Sequence, residues 1–203
     1  STFKTTIERY AGTEEAYAAL EGLEQVYVET NNIEEYIAYT KTLTRMNMQT
    51  ASSEDSLVYV TAELQYMLAN YPQSAAGFTT YLTRFCPGGR YCTNATYYAA
   101  NSYYQLKQYD KAIQAYKNTI QKYAGSEEAY AALEGLEQVY VETNNISDYL
   151  AYTKTLNKIN MRTSSQEDSL VYVTAELQYI MGNYEEAAAG MTTYITSFCP
   201  GGR

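Results

Sequence analysis

Residues 1–90 align without a gap onto residues 114–203, an offset of 113, and about 65 of the 90 positions are identical. YAGTEEAYAALEGLEQVYVETNNI from Tyr10 returns as YAGSEEAYAALEGLEQVYVETNNI from Tyr123. EDSLVYVTAELQY from Glu54 returns from Glu167, and FCPGGR from Phe85 returns from Phe198. A duplication this long spans several helical patterns. It constrains the chain to an array whose units bury their apolar faces on neighbours rather than on one central core.

Inside each block, apolar residues recur at three- and four-residue spacing and are broken by short polar turns. Tyr17, Leu20, Leu23, Tyr27 and Val28 mark a helix over 14–30, capped by Thr13. Asn31-Asn32 breaks it, and 33–46 forms its partner. The spacing predicts a further helix from Glu54 through Leu68, a turn at Tyr71-Pro72, a helix over 74–85 and a stop at Cys86-Pro87-Gly88-Gly89. Hairpins follow at about 14–47, 54–86, 93–123, 127–160 and 167–199, in all about eleven helices and no strand. Ser1–Tyr10 aligns with Gln114–Tyr123, a second helix without its first, so the chain reads as a piece of a longer array.

Composition suits thin, wet-edged layers. Tyr supplies 25 residues, whereas Phe supplies four and Trp none, and each Tyr ring brings a hydroxyl that needs a partner. Net charge is −9, from 14 basic and 23 acidic residues, and no basic run interrupts it. Phosphate backbones would be repelled, so nucleic acid is not an expected partner. No apolar run approaches membrane-spanning length, so no direct membrane insertion is expected.

Thr93 to Ser126 reads TNATYYAANSYYQLKQYDKAIQAYKNTIQKYAGS. It resembles a tetratricopeptide repeat (TPR), the 34-residue helix–turn–helix unit. Ala100 stands at the family's small position, Tyr103 at its Tyr, Ala112 at its Ala and Tyr116 at its Phe. Thr96, Ala99 and Ala124 depart from its Trp, Leu and Pro. The resemblance implies an all-α, right-handed α–α superhelix whose concave surface is lined by the first helix of each hairpin. The tyrosine-rich form from Tyr104 to Tyr116 looks similar to arrays of the bacterial envelope, and that resemblance favours the periplasm or cell envelope over the cytoplasm.

Carried over by position, that lining is Asn94, Tyr97, Asn101, Tyr104 and Gln105, then Tyr59, Glu63, Tyr66 and Met67, then Tyr172, Glu176, Tyr179 and Ile180. Glu21, Gln25 and Val28 add to it, with Glu134, Gln138 and Val141. The expected function is a non-catalytic scaffold binding a protein, an extended peptide or a short helix of some basic character. A purely architectural array, acting as a spacer or self-associating through its ends, and a carbohydrate-binding surface stand beside it. Tyrosines at this spacing also serve as interhelical core.

Catalysis finds little material here. With no His there is no imidazole base or metal ligand, and no metal or cofactor is expected. Glu14-Glu15 and Glu54-Asp55 sit at helix starts, where the dipole favours them. Cys86 and Cys92 bracket a PGGRY turn that a disulfide can bridge if their Cβ atoms come to about 4 Å. The alternative is two unpaired thiols. A disulfide would argue for an oxidising compartment. Asn94-Ala95-Thr96 and Asn145-Ile146-Ser147 fit the N-glycan acceptor pattern.

Overall fold

A computed structural model of the chain describes residues 2–46, 48, 50, 52–159, 161 and 167–199. The helices are α1 (Thr2–Arg9), α2 (Glu14–Glu29), α3 (Ile33–Leu43), α4 (Glu54–Met67), α5 (Tyr71–Phe85), α6 (Cys92–Gln105), α7 (Tyr109–Lys122), α8 (Glu127–Glu142), α9 (Ile146–Leu156), α10 (Glu167–Ile180) and α11 (Tyr184–Phe198). Short 3₁₀ turns, Thr44–Met46 and Asn157–Ile159, follow α3 and α9. No strand occurs among the described residues. Residues 47 and 160, where two hairpins were expected to end, lie outside the described residues, as do Pro200–Arg203 of the second FCPGGR.

Two compact units divide the chain, 1–102 and 103–203, and the division falls within α6. In the first, α1 packs on α2, α2 on α3 and α4, α3 on α4, and α4 on α5. In the second, α7 to α11 repeat that order: α7 on α8, α8 on α9 and α10, α9 on α10, α10 on α11. The duplicated sequence thus folds twice into the same packing.

The turn inside each hairpin is a left-handed helix stop. Asn31, Ala69, Lys107, Asn144 and Gly182 have φ of 56°, 58°, 56°, 54° and 82°. At Asn31 the N–H donates to Val28 O and the next N–H, of Asn32, donates to Tyr27 O, so the helix's last carbonyls are satisfied before the chain reverses. A Gly takes this conformation freely, whereas Ala69 and Lys107 accept strain of about 1–2 kcal/mol to do so. Between hairpins, Thr13 and Ser126 cap the next helix, their hydroxyls accepting from Ala16 N (3.3 Å) and Ala129 N (3.1 Å). Two boundaries differ from the sequence expectation. α5 starts at Tyr71 rather than Ser74, with Pro72 in its first turn, where no intrahelical N–H bond is lost. α3 ends at Leu43 and tightens into its 3₁₀ turn.

The α4–α5 pair crosses at a glycine. A Cβ at Gly77 would lie 2.7 Å from Ala62 Cβ, and one at Gly190 2.7 Å from Ala175 Cβ. The two backbones meet there across a single alanine methyl, which is what lets Leu57, Phe78 and Tyr81 bury almost completely on either side. Gly77→Leu and Gly190→Leu should therefore each destabilise by about 1–3 kcal/mol, although Leu is the better helix former. Denaturant unfolding reads this directly, and unchanged midpoints would refute the close crossing.

Candidate functional site

The surface that the sequence singles out is built in unit 1 by α4 and α6. Glu63, Tyr66 and Met67 project from α4 at three- and four-residue spacing, which keeps them on one side of the helix. Tyr66 meets α6: its ring lies 5.1 Å from that of Tyr98, it feels Tyr97, and Asn101 hydrogen-bonds its hydroxyl. Met67 is 68% exposed, and Asn94, Tyr97, Asn101, Glu63 and Tyr66 are half-buried. Glu21 and Gln25 on α2 are exposed and Val28 is half-buried. Gln25 is turned along its own helix, donating to Glu29 Oε1 at 2.9 Å.

Tyr59 does not belong to this surface. It is 4% exposed, its ring stacked on Tyr91 at 4.4 Å and set edge-on to Tyr81 at 5.8 Å. Its hydroxyl donates to Glu63 Oε1 at 2.9 Å. α6 and its lead-in cover the helix face that carries Tyr59, so this residue is packing.

Unit 2 arranges its candidates differently. Tyr104 is half-buried and donates to Glu142 Oε1, while Tyr109 donates to Glu142 Oε2 at 3.1 Å. Tyr172, Glu176, Tyr179 and Ile180 lie open on α10, with Tyr172 40% and Tyr179 65% exposed. Glu134, Gln138 and Gln105 are exposed and Val141 is half-buried. The carboxylate of Glu142, which gathers two tyrosines, was not anticipated. Its counterpart Glu29 receives Gln25 and, among the described residues, no tyrosine, so no pattern in the repeat announces it.

A second feature was also missed, a cavity present in both units. Asn31, Glu34, Val58, Ala62, Gly77 and Thr80 line about 300 Å³ in unit 1. Their counterparts Asn144, Val171, Ala175, Gly190 and Thr193 line about 440 Å³ in unit 2 with Ser147 and Ser197. In unit 1, Arg84 bridges Glu34 (2.5 Å) and Glu54. Ser147 and Ser197 stand where Glu34 and Arg84 do, and the smaller side chains leave more room. The mid-helix glycines were the available sequence signal.

Cys86 and Cys92 form a disulfide, Sγ–Sγ 2.05 Å with Cα atoms 5.7 Å apart, joining the end of α5 to the start of α6. Cys199 is a free, exposed thiol. Thr96 of the Asn94 acceptor pattern is buried within α6 and donates to Cys92 O, so glycan addition there would require unfolding the helix. Among the described residues no group of His, Cys, Asp and Glu could hold a metal ion, and no helix is long and apolar enough to cross a membrane.

In fold class the chain is all-α, a repeat of packed helical hairpins. No protein-family model and no curated protein matches its sequence. Among solved structures it is similar to nearly identical TPR-like repeats attributed to a kinesin light chain of Podosopora anserina, at 11% identity and a TM-score of 0.45, covering 88% of this chain and 93% of that one. A single-substitution variant of the same repeats matches at 11% identity and TM-score 0.45, covering 88% and 92%. A tetratricopeptide repeat protein from Parabacteroides merdae matches at 15% identity and TM-score 0.39, covering 96% of this chain and 83% of that one.

Four of the tyrosines set between helices titrate late. Burial first, then the adjoining carboxylate, holds Tyr36 (Glu24), Tyr59 (Glu63) and Tyr104 (Glu142) well above the ordinary phenol value. Burial, helped by Tyr140, pushes Tyr152 up to about 12 from an ordinary 10.0. All four are raised in the folded state. The stability they contribute is complete below pH 10 and is lost as pH climbs from 10 through about 12 and beyond. Helical circular dichroism should hold up to about pH 10 and collapse above it, in step with late tyrosinate absorbance. Helicity that persists after every tyrosine has ionised would contradict this.

Proposed function

We propose that the chain is a non-catalytic scaffold that binds a protein or extended peptide along the first helices of its hairpins. The carrying observation is the meeting of Glu63, Tyr66 and Met67 from α4 with Tyr97 and Asn101 from α6 on one half-exposed surface of unit 1. Rigid rings with polar tips supply contact area at low entropic cost, and amides supply directional hydrogen bonds. Glu21 and Glu63, together with the overall charge of −9, favour a basic segment. The Cys86–Cys92 disulfide fits an oxidising compartment, such as a bacterial periplasm or the cell exterior.

Selection of peptides from a random display library on the full chain tests the reading. Lys- and Arg-containing peptides should be enriched and should bind more weakly as salt rises. Tyr97→Ala and Tyr66→Ala should each cost about 2 kcal/mol of binding, while Thr80→Ala, exposed on α5, changes nothing. Peptides that bind both tyrosine variants as well as the parent would overturn it. Loss of glycan-array signal in the same variants would move the assignment to carbohydrate.

A further inference from the structure

α4 is held on both sides, by α2 and by the rings of α6 and its lead-in. Beneath its open side, Tyr59 is fixed by three other rings. It stacks on Tyr91 with ring planes 15° apart, and the rings of Phe78 and Tyr81 lie 5.7 and 5.8 Å away. A ring clamped in this way can aim its hydroxyl in few directions. The hydroxyl donates to Glu63 Oε1 at 2.9 Å, one turn further along the helix. Glu63 is half-buried, and among the described residues no other group donates to its carboxylate. Oε2 is left for a ligand.

The charges of unit 1 are sorted by helix. α2 carries five carboxylates and α4 three, with no Lys or Arg on either, and α6 carries no charge. The helical cations Lys4, Arg9, Lys41 and Arg84 all sit on α1, α3 and α5. Lys41 and Arg84 reach Glu54 at the start of α4, but among the described residues no ion pair reaches Glu63. The helix dipole favours Glu54 and Asp55 in the first turn and gives no support to Glu63 in the second half of the helix. Glu63 is thus a fixed carboxylate whose charge the chain itself does not compensate.

Taking the α4–α6 surface proposed above as the binding surface, we infer that it selects a lysine side chain of the partner over an arginine, with Glu63 as the acceptor and Tyr59 as the residue that positions it. A guanidinium gains its advantage by placing a fork of two N–H groups on both oxygens of one carboxylate. Tyr59 already occupies one of them. An ammonium is a compact charge with three separate donors and needs only single acceptors. Glu63 Oε2 supplies a charged one. The hydroxyl oxygens of Tyr66, three residues on and steadied by Asn101, and of Tyr97 supply neutral ones. Met67, 68% exposed beside Tyr66, offers apolar surface to the lysine stem.

The probes are a short peptide alternating Lys and Ser and its twin alternating Arg and Ser, each titrated onto the full chain at low salt and read by fluorescence anisotropy. The Lys peptide should bind about threefold or more tightly than the Arg peptide. Tyr59→Phe keeps the ring and frees Oε1 for a bidentate contact, so the preference should vanish or reverse while helicity is retained; a merely structural role would not move this ratio. Glu63→Gln should weaken both peptides by about fivefold or more and erase the preference, and it serves alone if Tyr59→Phe does not fold. An Arg peptide bound as tightly as the Lys peptide by the parent chain, a ratio that Tyr59→Phe leaves unmoved, or a preference that survives Glu63→Gln would each overturn the inference. If library peptides that Tyr66→Ala and Tyr97→Ala weaken show no preference for lysine, lysine selection falls while the scaffold reading stands. If no peptide responds to those two changes, both fall.

Discussion

A buried tyrosine must find a partner for its hydroxyl, and here the partner is repeatedly a glutamate at the rim of a neighbouring turn or helix. Tyr36 is fully buried and donates to Glu24 Oε2 at 3.0 Å; Tyr149, also fully buried, donates to Glu137 Oε2 at 2.9 Å. These are the same pair in the two copies. Tyr59 uses Glu63, and Tyr104 and Tyr109 share Glu142. A charged acceptor makes these stronger than neutral bonds, and their direction fixes each ring between its helices. Among the described residues the Tyr39 and Tyr152 hydroxyls are buried with no hydrogen-bond partner, and instead Lys4 and Lys117 sit 4.7 and 4.8 Å over the rings, which places a cation on the face of the π system.

This core explains why the layers are thin. A ring with its polar tip at the rim can fill only the depth between two helices, so the chain extends by adding hairpins instead of thickening one core. It also accounts for the character of the surface. Tyrosines that line the edge of a layer in one place, such as Tyr66 and Tyr97, are half-exposed, and the glutamates that serve the core keep that surface acidic. The structural role and the proposed binding role therefore draw on the same two residue types.

Most of the hairpin arrangement was legible in the sequence because each helix stop uses a short polar or small turn and each crossing repeats 113 residues later. The site was less so. Helical spacing shows which residues share a face, but not what lies on that face. Tyr59 and Tyr172 make the point: both sit in the identical string EDSLVYVTAELQY, yet one is sealed beneath Tyr91 and the other is open. No reading of the string could separate them, since the difference comes from α6. The paired cavities were hidden for a related reason, arising from helix crossings at Gly77 and Gly190 rather than from any chemical motif. The start of α5 was displaced because Pro72 marks a helix's first turn, not the residue before one.

The most direct test of the account is a double-mutant cycle on Tyr149→Phe and Glu137→Gln, read by denaturant unfolding of the full chain. A hydroxyl–carboxylate bond that holds the hairpin should give a coupling of about 1–2 kcal/mol between the two positions. Substitutions that prove additive, with each single change close to neutral, would show that the rings pack without their hydroxyls and that the tyrosine–glutamate pairing is incidental to the fold.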